Sequence, residues 1–485
     1  MEKNINEKTD KQKNTVKLNR NMFSTFLFIS FYLAIYLSIF VCIHSNFHGL
    51  PFKFNKIKTK EINQKINYKI PQREQDVLNK IDGFYGMIGP DINITTIKSL
   101  YDLFTGDGNI QGVFFENGNL TFVKHFIKTD KVKFEEKYGK IPKDVFSTIF
   151  MMMMNKVKLF PNIMGVANTA LLNINNDVYA LFERDLPYSI CIHFENNTIG
   201  MDKKIELDNI HYISGHSKYD IKEKTVHTIE YHVSTQQVNY YSLFDDFKIK
   251  NKKTIHTKYL PIVHDFAMFN SSILITDSPF IINMSDFKKI PIQLDNTKPT
   301  FVHVLNTKTE NVETYNTTEG FYIFHYADVI ENDDSITIYA PIYETIDFTN
   351  LNIHGKYRKI IIDKITRDMT IEKCAIFDDY NLDFPIKYKN KVILRNVENN
   401  TINGFVICEN LNITKTIMLN NRFVCGEPVI IEIEGIPHII AFSYDKFSKG
   451  YLLIINMENS HIINIPLNCS LNIGFHSIFL EKKTN

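Results

Sequence analysis

Residues 112–123, GVFFENGNLTFV, carry the clearest structural signal in the chain. Asn117-Gly118 separates two runs in which apolar side chains alternate with others, and this dipeptide favours the tight turn of a β-hairpin. Residues 169–183, TALLNINNDVYALFE, repeat the pattern around Asn175-Asn176. Both segments therefore predict antiparallel strands joined by short turns.

Similar strand patterns continue towards the C-terminus. They lie at 335–346, 391–397, 404–419, 428–444 and 449–467. Strands that recur every 8 to 12 residues or so, with turn residues between them, favour a sandwich, a barrel or a propeller over alternating strands and helices. No repeat of about 40 to 50 residues is visible, so repetition alone does not identify propeller blades.

Charge and cysteine content exclude several classes of protein. The 485 residues hold 55 Lys and Arg against 54 Asp and Glu, a formal charge of +1, so net charge does not suit the chain to binding nucleic acid. Hydrophobic residues make up 44%, which excludes disorder throughout. The six cysteines are scattered without a C-x-x-C pair, so neither a zinc ribbon nor a disulfide-rich module is indicated.

One uncharged stretch predicts a membrane anchor. Met22–Ile43, MFSTFLFISFYLAIYLSIFVCI, has 22 residues, and a helix of that length reaches roughly 33 Å, enough to cross a bilayer core of about 30 Å. No small-residue cleavage site of the A-x-A kind follows, so we expect a single uncleaved transmembrane helix rather than a signal peptide.

The residues flanking this helix are basic on both sides. Residues 1–21 form a basic tail with six Lys or Arg, and four Lys follow between 53 and 60. The excess predicts a cytosolic N-terminus, while the side of the membrane that holds the catalytic part stays open. Residues 44–80 are polar and basic with little periodicity, and we interpret them as a linker that leads to a folded part at 81–485.

The segment Val145–Phe160, VFSTIFMMMMNKVKLF, interrupts the strand pattern. Its unbranched apolar residues predict a helix. Two interpretations remain: a buried helix beneath a loop, or an apolar patch that enters the bilayer and admits a lipophilic substrate.

Four of the 16 histidines occur in distinctive contexts. They are His216 in SGHSKYD, His264 in IVHDFAM, His325 in FYIFHYAD and His476 in IGFHSIFL. Any one of them, taken alone, reads as an ordinary surface or core histidine. Together, and in this order, they resemble the four iron-binding segments of the carotenoid cleavage oxygenase family, which includes carotenoid dioxygenases, stilbene-cleaving enzymes and the retinoid isomerase of the visual cycle.

Other segments resemble the same family in the same order. They are DGFYGMIGP at 82–90, the stretch at 101–131 with its FTGDGN motif, ANTALLNINNDVYALFERDLPY at 167–188 and CGEP at 425–428. Two departures stand out: Met87 replaces an arginine of the family motif, and Ser217 replaces the proline after the first histidine. The resemblance covers about residues 81 to 485 and implies a seven-bladed β-propeller with a cap of helices and loops.

The implied chemistry suits these residue types. Four neutral imidazoles suit one Fe(II) ion, and two positions of an octahedron would stay free for dioxygen or substrate. The four histidines, His216, His264, His325 and His476, are separated by 48, 61 and 151 residues, so only distant strands that converge on an axis can bring them together.

Imidazole ligands also need partners that fix their tautomers. The resemblance assigns this role to Glu183, Glu427 and Asp383, where the family has a third glutamate. Because aspartate is one methylene shorter, we expect its hydrogen bond to be reached by a backbone shift or through a water molecule.

The resemblance implies a membrane-bound Fe(II) dioxygenase that cleaves a conjugated double bond of a carotenoid or apocarotenoid drawn from the bilayer. Two alternatives stay open. One is an iron-dependent isomerase of retinyl esters, which needs no dioxygen. The other is a catalytically silent propeller that binds lipid or a partner, suggested by the departures at Met87, Ser217 and Asp383.

Overall fold

Seven antiparallel sheets follow one another along the described part of the chain. The computed structural model describes residues 61–92, 96–139, 155, 162, 164–283 and 292–482. Each of the seven sheets has four or five strands, and a separate two-stranded hairpin accompanies the fourth. Successive sheets of this size are the blades of a β-propeller, so the predicted seven-bladed β-propeller is confirmed.

The first sheet joins the two ends of the described chain. In sheet order its strands are β1 (Ile62–Lys65), β4 (Asn119–Phe126), β3 (Gly108–Glu116), β2 (Gly83–Pro90) and β33 (Ser477–Glu481). Strand β33 pairs with β2, for example Phe479 opposite Tyr85, and this pairing closes the ring of blades. Closure removes exposed sheet edges, which would otherwise be prone to pair with other chains.

Blades two to four follow in sequence order. Their strands are β5 (Ala170–Ile174), β6 (Asp177–Leu181), β7 (Tyr188–His193) and β8 (Thr198–Lys204) in the second; β9 (Lys218–Asp220), β10 (Thr225–His232), β11 (Gln237–Phe244) and β12 (Ile249–His256) in the third; and β13 (Ala267–Phe269), β14 (Ser272–Asp277), β17 (Phe301–Asn306) and β18 (Val312–Asn316) in the fourth. The accompanying hairpin pairs β15 (Phe280–Ile282) with β16 (Ile292–Leu294).

The last three blades complete the ring. Their strands are β19 (Tyr322–Ile323), β20 (Asp328–Glu331), β21 (Ser335–Tyr343), β22 (Lys356–Asp363) and β23 (Met369–Glu372) in the fifth; β24 (Leu382–Tyr388), β25 (Lys391–Glu398), β26 (Thr401–Glu409) and β27 (Asn412–Met418) in the sixth; and β28 (Phe423–Val424), β29 (Val429–Ile433), β30 (Ile436–Tyr444), β31 (Gly450–Asn456) and β32 (Ile462–Pro466) in the seventh.

Both β-hairpin turns predicted from the sequence are present at the expected residues. Asn117 and Gly118 join β3 to β4 with φ of 49° and 73°, and Asn175 and Asn176 join β5 to β6 with φ of 53° and 81°. Two consecutive residues with positive φ make the turn whose twist matches the paired strands.

Helices are few in the described part of the chain. They are α1 (Gln72–Leu78), α2 (Leu100–Thr105), α3 (Asp130–Tyr138) and a 3-10 turn (Ala375–Phe377). A capping box fixes the start of α2: the Ser99 hydroxyl accepts from the Asp102 amide, and the Asp102 carboxylate accepts from the Ser99 amide.

The folded part begins earlier than the sequence indicated. Residues 44–80 were expected to form a linker, but β1 pairs with β4 and α1 packs Leu78 into the core of the first blade. Ile62 and Ile66 supply apolar contacts that the basic composition of the segment hides. Any linker therefore ends before residue 62.

Three predicted segments lie outside the described residues: the tail 1–21, the anchor 22–43 and the helix 145–160 apart from Asn155. Within the ranges that the structure describes, none of the helices has the length and apolar character needed to span a bilayer.

Apolar side chains between neighbouring blades hold the ring together. One cluster joins the first and seventh blades, where the rings of Tyr85 and Phe442 lie 4.8 Å apart and Phe122 contacts Phe442 edge-on. Full burial of one such side chain stabilises the fold by roughly 1.5–3 kcal/mol. This packing joins the first blade to the seventh in addition to the strand pairing within each blade.

Candidate metal centre

Four loops bring the four predicted histidines to one place. His216 precedes β9, His264 precedes β13, His325 lies between β19 and β20, and His476 directly precedes β33. Each therefore lies beside an edge strand of a different blade, the third, fourth, fifth and first. One ring nitrogen from each histidine lies within 4.8 Å of the corresponding nitrogens of the other three.

The imidazole rings are packed edge to face. The His216 centroid lies 4.5 Å from those of His264 and His476 and 5.2 Å from that of His325. His325 lies 5.1 Å from His264 and 5.0 Å from His476. The Nε2 atoms of His216 and His264 are 3.0 Å apart, so these nitrogens face a common point.

Three carboxylates hold the other nitrogen of three of these rings. Nδ1 of His264 contacts Oε1 of Glu183, Nδ1 of His325 lies 2.9 Å from Oδ1 of Asp383, and Nδ1 of His476 lies 3.2 Å from Oε1 of Glu427. A donated Nδ1–H leaves the Nε2 lone pair free to face the centre of the cluster. Among the described residues no carboxylate lies within 4.0 Å of the His216 ring nitrogens.

Burial and neighbouring charged groups together set the pKa values of the site. Burial, with help from the neighbouring imidazoles, holds the pKa of His216 well below its usual value, and burial also lowers the pKa of His325. Burial acts in the same direction on His264, but the charge and hydrogen bond of Glu183 outweigh it and raise the pKa of that ring. The pKa of Asp383 is lowered to about 2, because His325 and Arg395 outweigh the opposing effect of burial.

These residues fit a metal ion. Nε2 of His325 is buried and has no hydrogen-bond partner among the described residues, which is the state expected of a nitrogen whose partner is a metal. A set of imidazole nitrogens without a carboxylate suits a divalent transition ion such as iron. The four histidines can therefore hold one ion, and Glu183, Asp383 and Glu427 orient three of the ligands.

Two departures from the family motifs have a structural explanation. Met87 is fully buried and packs against the backbone of Gly426 and Gly474, so an apolar side chain fills this position. The hydroxyl of Ser217 donates to the carbonyl of Ser214 at 2.9 Å and lies 2.7 Å from the hydroxyl of Thr228, which stabilises the turn beside His216.

An apolar cavity opens onto the histidine cluster. Its volume is about 510 Å³, and its wall includes His264, His325 and His476. Leucine, isoleucine and aromatic side chains make up most of the remaining wall, among them Leu100, Leu103, Phe104, Phe348, Leu351 and Phe475. An apolar molecule can bind here beside the histidine nitrogens.

Sequence reasoning overlooked several residues of this cavity. Thr169 lies within the family segment at 167–188 and Phe384 directly follows Asp383, but nothing local indicated that their side chains reach the site. Arg395 left a clearer signal, since it is the one charged residue inside the apolar run VILRNV at 392–397. A charge at a buried strand position calls for a functional or structural reason.

Fold and site together define a β-propeller in which four histidines from four blades form a candidate metal site. The chain belongs to the retinal pigment epithelial membrane protein family, whose family model matches residues 79–481. The family resemblance drawn from the sequence is thereby confirmed.

Curated relatives agree with this assignment. The chain is 27% identical over 280 residues to a carotenoid 9,10(9',10')-cleavage dioxygenase 1 of Arabidopsis thaliana, covering 53% of this chain and 51% of the relative. It is 25% identical over 295 residues to a carotenoid 9,10(9',10')-cleavage dioxygenase of Crocus sativus, covering 56% of this chain and 53% of the relative. The matched region thus spans about half the length of these relatives.

Solved structures show the same fold. A variant of the Synechocystis apocarotenoid oxygenase superposes with a TM-score of 0.69 at 15% identity, covering 88% of this chain and 97% of that one. The Pseudomonas brassicacearum lignostilbene dioxygenase superposes with a TM-score of 0.69 at 16% identity, covering 89% of this chain and 97% of that one.

Proposed function

We propose that this protein is a non-haem Fe(II) dioxygenase that cleaves a conjugated carbon–carbon double bond of a carotenoid or apocarotenoid. The observation that carries the proposal is the position of four imidazoles around one point, three of which, His264, His325 and His476, line an apolar cavity. The family and the activities for which the relatives are named support the same reaction.

The reaction balances without a further reactant. The double bond and dioxygen are consumed, each former alkene carbon receives one oxygen atom, and two carbonyl products form. Iron, when bound, supplies the redox chemistry that lets dioxygen react with the polyene. No external reductant is required.

The chain contributes binding and orientation. His216, His264, His325 and His476 would hold the ion, with Glu183, Asp383 and Glu427 as their hydrogen-bond acceptors. The apolar wall would fix which bond of the polyene lies beside the ion, because a rod-shaped substrate can move only along its own length there. Exclusion of water would protect the reactive polyene.

Product analysis with iron-loaded protein tests this proposal. We expect aldehyde or ketone products from a panel of carotenoids and apocarotenoids, with one dioxygen consumed per double bond cleaved. Product formed at full rate under strict anaerobiosis would exclude the oxygenase and favour the isomerase. Failure to retain iron after reconstitution would favour the silent propeller.

We also propose that the chain is anchored to a membrane by the helix predicted at 22–43, with the N-terminus in the cytosol. The uncharged run of 22 residues supports this, and a substrate dissolved in the bilayer gives the anchor a physical purpose. The full chain should stay in the membrane fraction after alkaline extraction. Protease protection in sealed vesicles reports the side, and release by alkali would contradict an integral anchor.

A further inference from the structure

Arg395 places a buried positive charge in the wall of the cavity. Its side chain projects from β25, the residue is only 6% exposed, and it lines the cavity beside His325 and His476. Among the described residues its Nε atom has no hydrogen-bond partner, and no carboxylate lies within 4.0 Å of the guanidinium. Burial lowers the pKa of Arg395 to about 10, so it stays charged at neutral pH.

The acidic residue paired with Arg395 across the two strands is already engaged. Asp383 stands directly opposite Arg395 in the pairing of β24 with β25. Its Oδ1 atom, however, accepts from Nδ1 of His325 and from the amide of Phe384. Asp383 therefore serves the histidine, and it attracts the guanidinium through its charge without a direct ion pair.

An aromatic ring fixes the position of the guanidinium. The guanidinium carbon of Arg395 lies 3.4 Å from the centre of the Phe384 ring. The same ring also lies against His325 and His476, whose centroids are 4.4 Å and 4.8 Å away. One phenyl ring thus contacts both the guanidinium and two imidazoles of the histidine cluster.

An unpaired buried charge is costly, and stacking on one ring offsets only part of that cost. The guanidinium offers a planar set of N–H donors that matches a carboxylate. Most of the remaining cavity wall is apolar, and Arg395 is the one Lys or Arg among the described residues that line it.

We propose that Arg395 binds an oxygen-bearing end group of the substrate, a carboxylate in preference to an aldehyde. The cavity would then select acidic apocarotenoids over hydrocarbon carotenoids. This inference rests on the proposed function, since it names the substrate class of the same site.

Binding under strict anaerobiosis tests the inference without turnover. The probes are retinoic acid, retinal and the corresponding hydrocarbon, which share one polyene and differ in the end group, titrated into iron-loaded full-length protein. We expect the acid to bind most tightly and the hydrocarbon most weakly. Arg395→Met should weaken binding of the acid about 10- to 100-fold and leave the hydrocarbon unchanged. The affinity of Arg395→Lys for the acid should lie between those of the unsubstituted protein and Arg395→Met, because a lysine keeps the charge but loses the planar fork.

Arg422→Met is the matched control. Arg422 stacks on the Tyr451 ring at 3.5 Å, as Arg395 does on Phe384, but it does not line the cavity. This control should leave the ranking of the three probes unchanged. Iron content, measured for every variant, shows whether Arg395→Met acts through the metal site.

The outcomes separate the two proposals. Equal binding of all three probes, an equal loss for all three in Arg395→Met, or a loss of iron in that variant would overturn the role of Arg395. Cleavage on admission of dioxygen without any preference for the acid would leave the dioxygenase standing and end the inference. Selective acid binding that depends on Arg395, with no cleavage after dioxygen is admitted, would support the inference and overturn the dioxygenase.

Discussion

His325 donates a hydrogen bond from Nδ1 to Oδ1 of Asp383 at 2.9 Å, although aspartate is one methylene shorter than the glutamates beside His264 and His476. The strand bulges directly after Asp383, with an irregular register between Asp383 and Ile386. Phe384 within this bulge has φ of 51°, a conformation that few bulky residues adopt. A displaced backbone thus accompanies direct contact between the short carboxylate and the ring.

The hydrogen bond between Asp383 and His325 should determine metal affinity. We expect Asp383→Asn to lower the affinity for Fe(II) by about 10- to 100-fold, because an amide no longer selects the tautomer that leaves Nε2 of His325 free. Anaerobic metal titration measures this loss.

Asp277→Asn is the control for that experiment. Asp277 is buried, and its Oδ2 lies 3.4 Å from Nε2 of His303, a histidine outside the cluster. The Asp277→Asn substitution should lower the free energy of unfolding without changing the affinity for Fe(II). Equal metal affinity in Asp383→Asn and the unsubstituted protein would contradict the role given to Asp383.

Metal binding should stabilise the folded protein. The four histidines come from four blades, so an ion held by them links distant parts of the ring. At a free metal concentration one hundred times the dissociation constant the gain is about 2.7 kcal/mol. Unfolding by urea with and without Fe(II) under anaerobic conditions measures it.

His325→Ala should abolish most of this gain, since it removes one of the four ligands. His303→Ala removes a buried histidine outside the cluster and should keep the gain, although its own stability will be lower. A metal-induced gain that survives in His325→Ala would show that the ion binds elsewhere.

Met87 and Gly474 should be energetically coupled. A Cβ atom added at Gly474 would lie 2.3 Å from Sδ of Met87, so one of the two must move. We expect Gly474→Ala to lower the free energy of unfolding by about 1–3 kcal/mol, as overpacked cores do. Equilibrium unfolding in urea reports the change.

The double variant Met87→Ala/Gly474→Ala should recover part of that loss, because the shorter side chain leaves room for the new methyl group. Gly200→Ala is the control, since the atom nearest to its added Cβ is 3.5 Å away. Strict additivity of the Met87 and Gly474 substitutions would refute the steric coupling.

Two buried cysteines should resist alkylation in the folded protein. Burial raises the pKa of the Cys408 thiol to about 12 and also raises that of Cys425. At pH 8 both are protonated as well as inaccessible, so a thiol reagent should modify them only after unfolding. The partly exposed Cys374 gives an internal comparison. Peptide mass mapping after brief treatment measures all three, and rapid native modification of Cys408 would be incompatible with this packing.

The sequence was most informative where the structure depends on residues that are adjacent in the chain. Asn117-Gly118 and Asn175-Asn176 specify turns by their own conformational preferences, so strands and hairpins were predictable one by one. The linker expected at 44–80 illustrates the limit. Strand β1 has four residues and little pattern of its own, and it is a strand because β4 offers it an edge.

The candidate metal site likewise has features that the sequence predicted and features that only the tertiary structure determined. The contexts of His216, His264, His325 and His476 identified a family, and with it a set of candidate ligands, from the letters of the chain alone. Their approach to within 4.8 Å, the bulge that lets Asp383 reach His325 and the unpaired charge of Arg395 were decided only by the tertiary structure. The reason is physical: residues 48, 61 and 151 positions apart meet only when seven sheets close into a ring, and β33 forms that closure by pairing with β2.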